Sequence, residues 1–287
     1  MSIDIKALQS LVYPRVEQTV SPNDAIFYAL SIGLGTSPLD PHHLQYVYER
    51  GQVAFPTLAS VICKLRSLSD FPQLGIAKST VVHGEFGLRL HAGVPIGVPL
   101  AAWGKVTDVV GGKPGSHLKV YSDRFIVEAE TDRLIATIRS MTLVRGAGGE
   151  APSAYAGPVR VLPTRQPDDV VTLPTATNQA LMFRLNGDAN PLHADPAFAT
   201  KAGFEKPILH GLCSLGIAAR AIIESDKSEE SGQLTSVSAR FSGPLFPGES
   251  LAVQIWRDGN DLQFRALAQE RGTTVLDFGH GQLEPAT

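Results

Sequence analysis

Residues 240–251, RFSGPLFPGESL, restate residues 89–100, RLHAGVPIGVPL, without a gap at an offset of 151. Arg89 and Arg240, Gly97 and Gly248, and Leu100 and Leu251 coincide. Each copy joins two strand-like runs, 79–91 to 99–110 in the first case and 234–242 to 249–257 in the second. Two more such runs follow each copy, 117–129 and 134–145, then 262–269 and 272–283, with turn signals such as Gly111-Gly112 between them. Helical stretches come first in both halves. One runs from Ser21 to about Ile32, where Ser21-Pro22 offers a cap and a first-turn proline, and another from Thr57 to Leu65. The second half has stretches near 176–185, 195–201 and from Leu212 to Glu224. Helices and then an antiparallel meander, twice, predict an α+β protein built as a tandem repeat.

A second echo lies upstream. YALSIGLG, from Tyr28, stands opposite FRLNGDAN, from Phe183, at an offset of 155. Asp188 then faces Gly33, Asn190 faces Gly35 and His193 faces Pro38, so the second copy alone carries ionisable groups there. Between the copies, residues 146–168 are rich in Gly, Ala and Pro and have no sustained periodicity. They read as a linker, dividing the chain into units 1–145 and 169–287.

Composition narrows the function classes. The 287 residues are 43% hydrophobic and 18% charged, enough apolar matter for a substantial core. A net charge of −3 argues against a nucleic-acid partner, though not against one phosphorylated small ligand on a local basic cluster. The two cysteines, Cys63 and Cys213, give neither a disulfide framework nor a zinc spacing. The N-terminus lacks a basic segment followed by an apolar core, no run approaches a membrane span, and the C-terminal LEPAT is no peroxisomal address. A cytoplasmic protein is the expectation.

The residues that bear chemistry cluster in NGDANPLHADP, 186–196. Asn190-Pro191 ends any helix arriving from residue 185, since a residue before proline is pushed out of the α region. Asp188 and His193 should therefore project from an irregular loop, close enough for both to reach one water molecule. Asp195-Pro196 restarts a helix as cap and first residue. Asp188 could equally cap a turn, and Asn190 could be a plain turn residue. In PILHGLC, 207–213, an apolar helix begins just after His210-Gly211. Helix N-termini present unpaired N–H groups, and glycine lets a ligand oxygen approach closely, so the Gly211 N–H is a natural donor to an oxyanion.

The stretch FRLNGDANPLHADPAFATKAGFEKPILHGLCSLG, 183–216, resembles the hydratase-2 signature of the MaoC-like hydratases. His83-Gly84-Glu85 is similar to an HGE element of the two-domain members. The resemblance implies a double hot-dog fold: a long helix wrapped by an antiparallel sheet, twice, with the two sheets side by side. It implies hydration of trans-2-enoyl-CoA to (3R)-3-hydroxyacyl-CoA without metal or redox cofactor. Asp188 and His193 match the family's catalytic pair, Asn190 its active-site asparagine and Gly211 its thioester-oxygen donor. Glu85, Arg184, His210 and Arg240 are candidates for contacts to the acyl-CoA. The first half is expected to house the acyl chain, within Phe55 to Cys63, and the oligomer to be a homodimer. Asn186 and Ala189 depart from the family pattern, which bears on substrate fit.

Competing readings are a hot-dog thioesterase, a dehydratase on acyl-carrier-protein substrates, and a non-catalytic acyl-CoA binding subunit. Three other features carry little. Gly33-Leu34-Gly35 is too short for a dinucleotide loop. His42-His43 have no carboxylate or Cys at ligand spacing. Ser214 lacks a G-x-S-x-G elbow.

Overall fold

One ten-stranded antiparallel sheet carries both halves of the chain. The computed structural model describes residues 3–37, 39–113, 115–149, 161–226 and 232–284, so Pro38 and much of the 146–168 linker lie outside the described residues. The strands are β1 (Val12–Thr19), β2 (Val81–Leu90), β3 (Pro99–Val110), β4 (Leu118–Glu128), β5 (Leu134–Val144), β6 (Asp169–Pro174), β7 (Gln233–Phe241), β8 (Ser250–Asp258), β9 (Asp261–Ala268) and β10 (Thr273–Glu284). Their order, β1-β3-β4-β5-β2-β7-β10-β9-β8-β6, reads as one five-strand meander followed by its reversal. Two equivalent units related by a two-fold rotation give that order. At the seam β2 pairs with β7, and Gly87 lies opposite Ser238, its own counterpart at the 151-residue offset. The repeat in the sequence is a repeat in space.

The helices are α1 (Ile5–Gln9), α2 (Pro22–Ser31), α3 (Pro41–Val47), α4 (Gln179–Phe183), α5 (Pro196–Lys201) and α6 (Gly211–Glu224). Ser21 caps α2 in a full capping box with Asp24, and Asp195 caps α5 through the Ala197 and Phe198 N–H groups. In α6 every residue from Cys213 to Ile222 is buried, as suits an apolar helix between a sheet and neighbouring helices. The architecture is the tandem helix-and-sheet arrangement expected, but its two helical layers differ. In the first half a short 3-10 turn, Pro56–Ser60, lies opposite the start of α6 at the 155-residue offset. The helix expected over Thr57 to Leu65 does not form. The Arg124 guanidinium donates to the carbonyls of Ala59, Ser60 and Ile62, taking acceptors that a longer helix would need.

Candidate active site

α4 runs into a 3-10 turn, Arg184–Asn186, that stops at Gly187 with φ +98°. A Cβ there would touch nothing within 4 Å, so glycine is present for its backbone freedom and not for space. The turn aims Asp188 inward. Its N–H donates to the Arg184 carbonyl (3.1 Å), and its Oδ1 accepts from the Asn190 N–H (3.2 Å). Asn190 in turn caps a second 3-10 turn, Pro191–His193, by accepting from Leu192 N–H (3.1 Å). His193 thus sits on a short ordered turn and not on irregular loop. Asn186 donates to Ser31 Oγ (2.9 Å), its counterpart across the pseudo-two-fold, which ties this segment to the first half.

Two histidines stack beside the carboxylate. The rings of His193 and His210 lie 3.6 Å apart at 24°. One atom each from Asp188, His193 and His210 falls within 4.8 Å of the others, the one such group among the described residues. His193 Nδ1 is 2.9 Å from the Ile208 carbonyl, and His210 Nε2 is 3.2 Å from the Asp188 carbonyl. A carbonyl only accepts, so these nitrogens carry the protons. In the neutral rings His193 Nε2 and His210 Nδ1 are then left as acceptors. Burial lowers the pKa of His193, and burial followed by the neighbouring His193 takes His210 down to about 4. Burial raises the Asp188 pKa, but Lys64, His210 and the Asn190 N–H outweigh it and leave the carboxyl below its usual range. At neutral pH the cluster holds one carboxylate and two uncharged imidazoles. The same three residues offer cation ligands, although the stacked rings hold their in-plane lone pairs in two near-parallel planes, 3.6 Å apart at the centroids.

Gly211 opens α6 with His210 as its cap residue, and its N–H has no partner among the described residues. A Cβ at Gly211 would lie 2.8 Å from the Phe241 ring. Glycine is required here by packing as well as suited to a ligand's approach.

A cavity of about 290 Å³ opens onto Asp188. Phe183, Asn186, Gly187, Asp188 and Leu212 form the side from the second half. His193, Asn190 and His210 are gathered around Asp188, and neither they nor Gly211 line this cavity. Of the stretch expected to house an acyl chain, only Ser60 and Val61 reach it, while Phe55, Leu58, Ala59, Ile62 and Cys63 pack into the core. Arg184, Glu85 and Arg240 lie away from it. The Arg184 carbonyl holds Asp188, and the Arg184 Nε is buried without a partner among the described residues. Glu85 and Arg240 face each other at the seam, with Arg240 Nη2 2.8 Å from Glu85 Oε1. His43 finds partners far off in sequence or across a turn, Glu224 at 2.8 Å and Asp40 at 3.7 Å.

Two cavity residues, Lys64 and Arg124, escaped the sequence reading, and His83 entered it only within the His83-Gly84-Glu85 resemblance. Lys64 donates to the Gly187 carbonyl (2.7 Å), and His83 and Arg124 stand on the wall from the first half. A lone lysine in the apolar run VICKL was the one local signal for the first of them.

A tandem pair of helix-wrapped sheets with this cluster in the second copy is a double hot-dog protein. Residues 19–146 match the family described as MFE-2 hydratase 2 N-terminal domain, and residues 159–277 match the MaoC like domain. The chain is 34% identical to the peroxisomal enoyl-CoA hydratase 2 of Arabidopsis thaliana, covering 92% of this chain and 90% of that one. It is 32% identical to peroxisomal multifunctional enzyme type 2 of Drosophila melanogaster over 94% of its own length, but spans only 47% of that protein. The crystal structure of a MaoC-like dehydratase from Phytophthora capsici superposes with a TM-score of 0.83 at 28% identity, covering 99% of this chain and all of that one. The chain belongs to the MaoC-like hydratase 2 family.

Proposed function

We propose that the protein adds water across the 2,3 double bond of a trans-2-enoyl-CoA to give the (3R)-3-hydroxyacyl-CoA. The observation that carries this reading is the Ile208 carbonyl on His193 Nδ1, which leaves Nε2 as a proton acceptor beside the Asp188 carboxylate. Such a pair can hold one water by both its hydrogens. Nε2 takes one proton as the oxygen bonds to C3, and the C2–C3 π electrons move to C2 and the thioester oxygen. The imidazolium formed, stabilised by Asp188, then returns that proton to C2. One water is consumed and both groups are regenerated. The Gly211 N–H, with the dipole of α6 behind it, faces the enolate-like oxygen. Asn190 holds Asp188 and the turn that bears His193. The same groups run dehydration in reverse.

The names of the relatives support the substrate class. Two of them are called peroxisomal, so the cytoplasmic expectation is not carried forward. Among the described residues no helix is long and apolar enough to cross a membrane. The homodimer belongs to this reading too, and light scattering checks it. The test of activity is the loss of conjugated-enoyl absorbance from a trans-2-enoyl-CoA on adding pure protein, with the product enantiomers resolved. A 3R product supports the proposal. Release of free CoA without an alcohol product would identify a thioesterase instead.

A further inference from the structure

The inner face of the first-half sheet is apolar at both ends and polar across its middle. On β4, Leu118 and Val120 belong to one apolar cluster and Ile126 to another, with Ser122 and Arg124 between them. On β5, Val144 belongs to the first cluster and Ile138 and Ala136 to the second, with Thr142 and Ser140 between. On β2, Val81 packs on the first cluster and Phe86 and Leu88 lie in the second, with His83 between. The register lines these positions up: His83 opposes Thr142, and Ser140 opposes Ser122. Five polar side chains on three strands form one row, and all five line the cavity that opens onto Asp188.

A cavity meant only for an alkyl chain gains nothing from such a row, because polar groups away from water need partners. Arg124 has them in the carbonyls that end the 3-10 turn. His83 is only half satisfied: its ring meets the Glu85 backbone, but its Nε2 is buried and without a hydrogen-bond partner among the described residues. Burial first, and the Arg124 cation second, press its pKa down to about 4, so the ring is neutral at ordinary pH. A neutral imidazole nitrogen can donate to or accept from an oxygen, according to tautomer.

We infer that the cavity selects enoyl thioesters whose acyl chain carries an oxygen function, a hydroxyl or a carboxylate, that bonds His83 Nε2 within the row on β2, β4 and β5. This deepens the hydratase reading and rests on it for the reacting end of the ligand. A hydroxyl satisfies either tautomer of His83, whereas a carboxylate needs the proton on Nε2 in place of the nitrogen that meets the Glu85 backbone, with Arg124 nearby as the compensating charge. A plain alkyl chain leaves the nitrogen unpaired and desolvated, and sites that lose a designed polar partner discriminate strongly.

The experiment compares trans-2-octenoyl-CoA with its ω-hydroxy and ω-carboxy counterparts, together with the hexenoyl and decenoyl series, which carry the oxygen two carbons nearer to the thioester and two farther from it. The expected result is about a tenfold or greater preference in kcat/KM for an oxygenated member at one chain length, with the hydroxyl and carboxyl arms telling the two functions apart. In His83→Leu that preference collapses, and in Thr142→Val, which keeps the fold's shape, it weakens. Calorimetric binding of the matching 3-hydroxyacyl-CoA products to wild type and both variants gives the same ranking without turnover. Hydration of all chains with no preference, or one unmoved in both variants, overturns this inference and leaves the hydratase. Absence of any hydration overturns the hydratase reading, and the product-binding ranking then decides the oxygen subsite by itself.

Discussion

The rings of His193 and His210 stack 3.6 Å apart, and each donates a hydrogen bond to a backbone carbonyl, of Ile208 and Asp188 respectively. The arrangement fixes two neutral tautomers at once. Protonating either ring would set a charge in a buried place against a close neighbour.

The pH dependence follows from this. His210 and His83 titrate near 4 in the folded protein and near 6.5 when unfolded, with His193 shifted the same way. Between those values the unfolded chain binds more protons, so stability rises with pH in that window and is lost as pH falls from about 6.5 toward 4. Asp188, lowered in the fold, adds its own loss only below the ordinary carboxylate range. Melting temperature should fall across the pH 6.5 to 4 window. The acid limb of activity should lie below 6.5, because the base His193 stays neutral until then. An acid limb above 7 would contradict these assignments.

The seam pair offers a second test. Glu85 is buried, whereas Arg240 is half exposed and also lies 5.0 Å from the Phe278 ring. Arg240→Leu removes the ion-pair partner of a buried carboxylate and should cost about 1–3 kcal/mol, less than breaking a fully buried pair would. Glu85→Gln leaves the arginine its route to solvent and should cost about 1 kcal/mol. Urea unfolding of both variants measures the order. An Arg240 variant as stable as wild type would show that the pair holds nothing together.

At Gly211 packing and chemistry can be separated. Alanine and proline both add a Cβ 2.8 Å from Phe241, so each should destabilise by about 1–3 kcal/mol. Phe241→Leu in the same chain should restore most of that. In this relieved background only proline lacks the N–H, and it should turn over about 10²–10³-fold more slowly than alanine. Equal turnover in the two would remove the Gly211 N–H from the oxyanion site.

Local chemistry was legible and long-range chemistry was not. The strands of both meanders stand close to where alternation and turn residues put them, and Ser21 and Asp195 cap as their sequences predict. β1 and β6 were missed because each is an edge strand with one neighbour. VYPRVEQT carries a proline and three charged or amide side chains, and DVVTLP runs straight out of the linker region. The 183–216 motif brings Asp188, Asn190 and His193 together because two short turns connect them. Lys64, His83 and Arg124 reach the cavity only through the two-fold packing of the halves, which no spacing in the sequence encodes. Glu85 and Arg240 were singled out as candidates for contacts to the acyl-CoA, and the structure joins them to each other at the seam.

The central claim is that Asp188 and His193 act on one water. The measurement is a double-mutant cycle on enoyl-CoA hydration with Asp188→Asn, His193→Gln and the combined variant, each checked for native circular dichroism and melting. Each single change should lower turnover by about 10²–10⁴-fold. The combined variant should lose far less than the product of the two, since either deletion already disables the shared water. Losses that multiply, or near-wild-type hydration by either folded single variant, would contradict the account.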